Sequence, residues 1–320
     1  MIKSTAIIFL SGFLLSGGDS LSSPGAARWD RIVQAEWLAA HLDDPHLVVI
    51  HVGFDPAEPG VSLQRSTYLE GHIQGARSIA WNELVVTRKG IPNEMPKVDQ
   101  LVQLLRSLGI DRNDRIVLYD TGYGVEAARA YLMLDYLGLG EKAAILDGQW
   151  ARWKALKGPV SCMPEEVEPS AFVPELHPEI LVSLPEMKDL AWMARQMGGN
   201  VALLDARSAE EFSGYRAGKG IQRPGHIPGA ANLCWNQLLS CEDTPLLRPE
   251  QELRAAFESA GARPGRTIVT YCRTGTEASL LYFAAKVLGY ETRFYDGSYY
   301  EWSREDEGPI EGSWTRADRR

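Results

Sequence analysis

After residue 28 the chain alternates two kinds of hydrophobic pattern. Short aliphatic or β-branched runs are followed by longer stretches whose apolar positions recur every three or four residues. Leu47-Val48-Val49-Ile50-His51-Val52 and Ala143-Ala144-Ile145-Leu146-Asp147 are runs of the first kind and predict buried strands. Residues 98–108 and 125–137 are of the second kind and predict helices, each closed by a glycine, Gly109 and Gly138. Later in the chain, strands are expected over 201–205, 266–271 and 292–296, and helices over roughly 250–260 and 277–288, the last stopped by Gly289. This alternation is the pattern of α/β proteins with parallel sheets.

The pattern occurs twice. Gly71-His72-Ile73-Gln74-Gly75-Ala76 returns as Gly225-His226-Ile227-Pro228-Gly229-Ala230, and Trp81-Asn82-Glu83-Leu84 as Trp235-Asn236-Gln237-Leu238. Ile116-Val117-Leu118-Tyr119-Asp120 returns as Ile268-Val269-Thr270-Tyr271-Cys272, and Leu146-Asp147-Gly148 with Trp153 as Tyr295-Asp296-Gly297 with Trp302. Landmarks repeated in order, a domain's length apart, indicate a duplicated domain rather than a solenoid unit. Residues 157–178, rich in proline and acids, read as a linker between a first domain, 28–156, and a second, 179–320. Because His72 and His226 both recur in the repeated element, they read as structural.

The copies differ where chemistry is possible. In the second, the strand 266–271 runs into Cys272-Arg273-Thr274-Gly275-Thr276-Glu277, which opens a helix. Open α/β sheets place ligands at the carboxyl ends of strands. A helix amino terminus offers free N–H groups and positive potential, which favour a thiolate of lowered pKa. Arg273 adds a fixed charge, and Gly275 allows a backbone angle other residues resist. Thr274, Gly275, Thr276 and Glu277 can donate backbone N–H groups to a sulfur anion. Glu277 is expected to turn outward at the helix start, because turned inward it would repel an anionic donor. In the first copy Asp120 replaces the cysteine and the loop is one residue longer, so that domain is expected to be catalytically silent.

The Cys272 loop resembles the active-site loop of the rhodanese family of sulfurtransferases, in which a nucleophilic Cys begins a six-residue loop that cradles a persulfide. The resemblance covers nearly all of the chain after residue 28. It implies an α/β fold of two tandem rhodanese-like domains, each a mainly parallel sheet flanked by helices. It further implies covalent, two-step transfer of a sulfane sulfur through a Cys272 persulfide. Asp205-Ala206-Arg207 resembles the family's D-x-R element, which makes Arg207 a candidate substrate ligand, with a salt bridge to Asp205 or Glu211 as the structural alternative. Arg273 resembles the thiosulfate-preferring branch, although Thr274 stands where that branch has Lys. The expected function is therefore transfer from thiosulfate to cyanide or a thiol, with a thioredoxin-like protein as a further class of acceptor. The alternatives are a 3-mercaptopyruvate sulfurtransferase and a persulfide carrier for a partner. A related phosphatase reading fails, because that chemistry needs Arg six positions after the Cys and position 278 is Ala.

Composition narrows the rest. The chain has 320 residues, 45% of them hydrophobic and 23% charged, as in globular proteins of two domains. A net charge of −9 with no basic run argues against nucleic-acid binding. The four Cys and six His have no metal-site spacing, so neither a metal nor a cofactor is expected. Two halves that can cover each other suit a monomer. Residues 1–27 carry an apolar run at 6–15 after Lys3 and end in small residues, the pattern of a secretory signal cut before Arg28. Export to a periplasmic or secreted location is the expectation and a cytoplasmic extension the alternative. In an exported protein Cys234 and Cys241 could pair.

Overall fold

The computed structural model describes residues 30–53, 68–196, 199–240, 244–305 and 308–312. The signal-like residues 1–27 and Cys241, half of the Cys234–Cys241 pairing, lie outside these. No helix among the described residues is long and apolar enough to cross a membrane.

In the first half β1 (Ile32–Val33), α1 (Ala35–His41) and β2 (Leu47–Gly53) are followed by β3 (His72–Ile73), β4 (Arg77–Ala80) and α2 (Trp81–Leu84). A two-stranded hairpin comes next, β5 (Val86–Arg88) and β6 (Ile91–Glu94), turned by Lys89 and Gly90 at φ 51° and 80°. Then come α3 (Val98–Ser107), β7 (Arg115–Tyr119), α4 (Val125–Tyr136), β8 (Ala143–Leu146), α5 (Gln149–Leu156) and β9 (Val160–Ser161). The second half contains β10 (Leu181–Val182), α6 (Leu184–Ala194), β11 (Val201–Asp205), α7 (Ala209–Ser213) and β12 (Ala230–Asn232). It closes with α8 (Glu250–Ser259), β13 (Thr267–Tyr271), α9 (Ala278–Val287), β14 (Thr292–Tyr295) and α10 (Ser298–Trp302).

Each half folds into a five-stranded sheet in which every pairing is parallel. The order is β1-β8-β7-β2-β4 in the first and β10-β14-β13-β11-β12 in the second, so the repeat extends to topology. Both sheets are covered on both faces, which is why β8 and β11 are buried at every position instead of alternating. The repeat also reaches single contacts. The Tyr119 hydroxyl accepts from Ile73 N–H at 3.0 Å, and Tyr271 from Ile227 N–H at 3.3 Å. Trp153 and Trp302 each donate the indole N–H to a proline carbonyl, Pro159 and Pro309.

The halves share one core. α4 is buried at eleven of twelve positions and α9 at eight of ten, so neither has a polar face to show to water. They pack against each other, with the Tyr131 and Phe283 rings edge to face at 4.9 Å. The Tyr282 hydroxyl donates to Asp135 at 2.6 Å and Lys286 pairs with the same carboxylate at 3.0 Å. The proline-rich run after α5 lies along the first half. β9 pairs with β3, Phe172 is buried, and Glu175 and His177 donate to the carbonyls that end α4.

Candidate active site

β13 ends at Tyr271, and the chain turns through 272–277 into α9. The turn requires Gly275, at φ +85°, and there a Cβ would press within 3.4–3.5 Å of Asp296 O, Arg129 Nη1 and Phe294 Cζ. The Gly275 N–H donates to Cys272 Sγ at 3.1 Å. Cys272 N–H reaches Ser298 Oγ at 3.4 Å, and its carbonyl accepts from Tyr299 N–H at 2.9 Å, so the loop is fastened to the start of α10. Cys272 is fully buried.

Glu277 faces inward, not outward as expected from its place at a helix start. Its Oε2 lies 3.0 Å from Cys272 Sγ. The expected lowering of the thiol pKa is reversed in the same stroke. Burial pushes Cys272 far above the ordinary thiol range, and the Glu277 carboxylate adds to it, outweighing the pull of the Ala278 and Thr274 N–H groups. At rest burial keeps the thiol protonated beside the Glu277 side chain.

The two arginines are engaged elsewhere. Arg207 is buried with its Nε on both oxygens of Asp205, at 2.9 and 3.0 Å, and its Nη2 on Asp205 and on Gly225 O. Its guanidinium stacks 4.0 Å over the Tyr299 ring. This is the salt bridge to Asp205 given as the structural alternative. Arg273 is one-third exposed and pairs with Glu211 at 3.2 Å, which offsets the charge expected to attract a donor. Thr274 and Thr276 turn their hydroxyls to Asn93 Nδ2, at 3.1 and 3.3 Å. His72 and His226 are structural, each stacked at 3.7 Å on an aromatic ring, Tyr68 and Phe212, whose carbonyl faces Nδ1.

Sequence reasoning missed the residues that the first half lends to this loop. Asn93 sits just past the hairpin turn at φ 61°, a backbone region that Asn tolerates. Its carbonyl accepts from Arg129 Nη2 at 2.9 Å, and the same nitrogen reaches Asp296 Oδ1 at 3.1 Å. Asp296 Oδ2 accepts from Met95 N–H at 2.6 Å. Arg129 is fully buried, and among the described residues its Nε and Nη1 meet no hydrogen-bond acceptor. The available signal was an arginine and an asparagine in otherwise apolar or turn contexts, too common to single out.

In the first half Asp120 occupies the place of the cysteine. Its Oδ1 accepts from Gly122 and Gly124 N–H at 2.8 and 3.1 Å, and its Oδ2 from Glu126 and Ala127 N–H at 3.1 and 3.2 Å. Burial and the neighbouring Glu126 carboxyl push Asp120 up to about 8, against the pull of the Gly124 and Ala127 N–H groups. Between the two loops runs an open cleft of about 510 Å³, lined by Tyr123, Glu126 and Lys154 on one side and Trp235, Thr276 and Glu277 on the other. Tyr123 and Trp235 meet edge to face across it at 5.6 Å.

Known proteins share this fold. A model of the rhodanese-like domain matches residues 34–156 and again 189–305. The chain is 29% identical over 284 residues to the 3-mercaptopyruvate sulfurtransferase of Escherichia coli (strain K12), covering 87% of this chain and 97% of that protein. It is 30% identical over 286 residues to the thiosulfate sulfurtransferase of Azotobacter vinelandii, covering 88% and 96%. The crystal structure of SseA, a 3-mercaptopyruvate sulfotransferase from Escherichia coli, superposes with a TM-score of 0.72 at 28% identity, covering 84% of this chain and 99% of that one.

Proposed function

The chain belongs to the rhodanese family as a tandem-domain sulfurtransferase, and we propose that it carries sulfane sulfur as a persulfide on Cys272, with the first domain silent. The observation that supports this most directly is the buried thiol on the Gly275 N–H, at a strand–helix junction beside an interdomain cleft, while the matching position of the other half is filled by Asp120. The acceptor is a nucleophile that can take an outer sulfur: cyanide, a small thiol or the thiol of a thioredoxin-like protein.

For the donor, the geometry favours 3-mercaptopyruvate over thiosulfate. Thiosulfate is a compact dianion that would meet the Glu277 carboxylate at the sulfur, and the guanidinium expected to attract it is paired with Glu211. Mercaptopyruvate carries its single charge away from its sulfur. Initial rates with each donor, with cyanide as acceptor, decide between them, and mass spectrometry of the donor-treated protein should find one added sulfur on the peptide holding Cys272. A higher kcat/KM for thiosulfate overturns the donor assignment. The added sulfur appearing on Cys162 or Cys234 overturns the site.

A further inference from the structure

We propose that Glu277 is a catalytic residue, a proton carrier that takes the Cys272 thiol proton and delivers it to the carbon leaving the donor. This rests on the reading of Cys272 as the sulfur carrier. Three observations support it. Glu277 Oε2 lies within hydrogen-bond distance of Sγ, at 3.0 Å. Glu277 lines the interdomain cleft whereas the fully buried Cys272 does not, so the carboxylate stands between sulfur and substrate. Among the described residues no other side-chain acid or base lies within hydrogen-bond distance of Sγ. The charged groups facing the pair lie further off: Glu126 and Lys154 across the cleft, on α4 and α5, and the Arg129–Asp296 pair behind Gly275. The Cys234 thiol, on the segment before Trp235, feels the charges of Asp205 and then Glu277, and Arg273 turns to Glu211.

The step balances without an outside reactant. The Glu277 carboxylate removes the proton from Sγ–H. The thiolate attacks the sulfur of HS–CH2–CO–COO⁻, and an Sγ–S bond forms as the S–CH2 bond breaks. The bond's electron pair goes to the methylene carbon as the pyruvate enolate, so sulfur is oxidised to the disulfane level and carbon is reduced. The proton held by Glu277 passes to that carbon and gives pyruvate. Cys272 is left as Cys–S–SH, the outer sulfur keeping the donor's own proton, and Glu277 returns to carboxylate. Sulfite leaving from thiosulfate is a far weaker base than an enolate, so the same carboxyl matters less there.

The geometry also explains how a thiol held protonated by its surroundings can react at neutral pH. Thiol and carboxylate hold one proton between them, and moving it from sulfur to oxygen requires no exchange with solvent. In the wild type, kcat/KM for mercaptopyruvate is therefore expected to be flat from about pH 6 to about pH 9, above the ordinary carboxyl range. In Glu277→Gln the proton must leave to hydroxide. That variant is expected to lose about 100-fold or more at pH 7 with mercaptopyruvate, to lose less with thiosulfate because sulfite leaves without needing the proton, and to regain activity about tenfold per pH unit with both donors. Its Cys272, without the carboxylate to take the proton, is expected to be alkylated by iodoacetamide more slowly than wild type at pH 7 and to recover about tenfold per pH unit, a pH signature that a merely structural role would not produce. Glu277→Asp should restore part of the flat profile.

Equal or higher mercaptopyruvate activity in Glu277→Gln overturns the proposal, as does a wild-type profile rising with unit slope, a result that needs no variant to fold. Both outcomes leave the persulfide reading standing if donor-treated wild type carries the extra sulfur on Cys272. Wild type that forms no such persulfide with either donor overturns both readings.

Discussion

At the end of β7 and at the end of β13 the chain makes the same turn around different groups. Gln149 Oε1 accepts the N–H of Asp120, as Ser298 Oγ accepts that of Cys272. Trp150 N–H closes on the Asp120 carbonyl at 3.1 Å, as Tyr299 N–H closes on that of Cys272 at 2.9 Å. The Asp-Gly corner repeated in each half reaches into the other: Asp147 accepts from Leu247 N–H, and Asp296 from Met95 N–H. Each turn also holds a glutamate against its central group, Glu126 with Asp120 and Glu277 with Cys272. The difference lies in the occupant. A carboxylate brings two acceptor oxygens and engages four N–H groups; a thiol brings one sulfur. A persulfide, like a carboxylate, brings two atoms. The Asp120 loop is thus filled by its own side chain, as the proposed persulfide would fill the other.

The most drastic way to test that contrast is to remove the sulfur. Cys272→Ser is expected to abolish transfer to background while unfolding like wild type, since the serine alkoxide is inaccessible near neutral pH. Steady-state rates beside thermal melts check this. Next in size is the clamp that only the active loop receives. Arg129→Met leaves Asp296 buried without its cation and is expected to cost about 3–5 kcal/mol in urea unfolding. Activity should fall about tenfold or more through misplacement of Gly275.

A milder test separates the two glutamate pairs by their effect on stability. Asp120 titrates near 8 in the fold, above an unfolded carboxyl, so the folded state holds a proton that the unfolded chain releases. That contribution is complete below the unfolded pKa and fades as pH rises toward 8. Wild-type melting temperature should therefore decline between pH 5 and 8 more steeply than that of Glu126→Gln, which relieves Asp120 of its neighbour. Asp120→Ala should leave transfer within a few-fold of wild type, as befits a domain outside the chemistry. The smallest effect belongs to Asn93→Gly, which keeps the left-handed backbone and removes two hydrogen bonds to Thr274 and Thr276. A loss of about 1 kcal/mol and a few-fold in kcat/KM is expected.

Much of this was legible in the sequence because it is local. Aliphatic runs buried on both sides read as parallel strands, glycines marked the helix ends, and β11 was bounded to the residue. The cysteine loop stood out because a strand, a Gly-containing turn and a helix follow one another without interruption. The direction of Glu277 was not legible, since it depends on a helical torsion at the last loop position, φ −67° and ψ −29°, which carries the side chain back over the sulfur. Nor were Asn93, Arg129 and Asp296, which meet across 36 and 167 residues of chain. Arg207 shows the limit of motif reading. The same Asp205 that completes its motif also takes its guanidinium out of reach.

The burial of α4 and α9 bears on the gene as much as on the protein. Once each helix had exchanged its polar face for the other, neither copy could be deleted singly. Loss of the second would remove the sulfur chemistry, and loss of the first would leave α9 naked to water along most of its length. The duplication is in that sense entrenched. The first copy serves as the missing wall of the second, whatever its own loop holds.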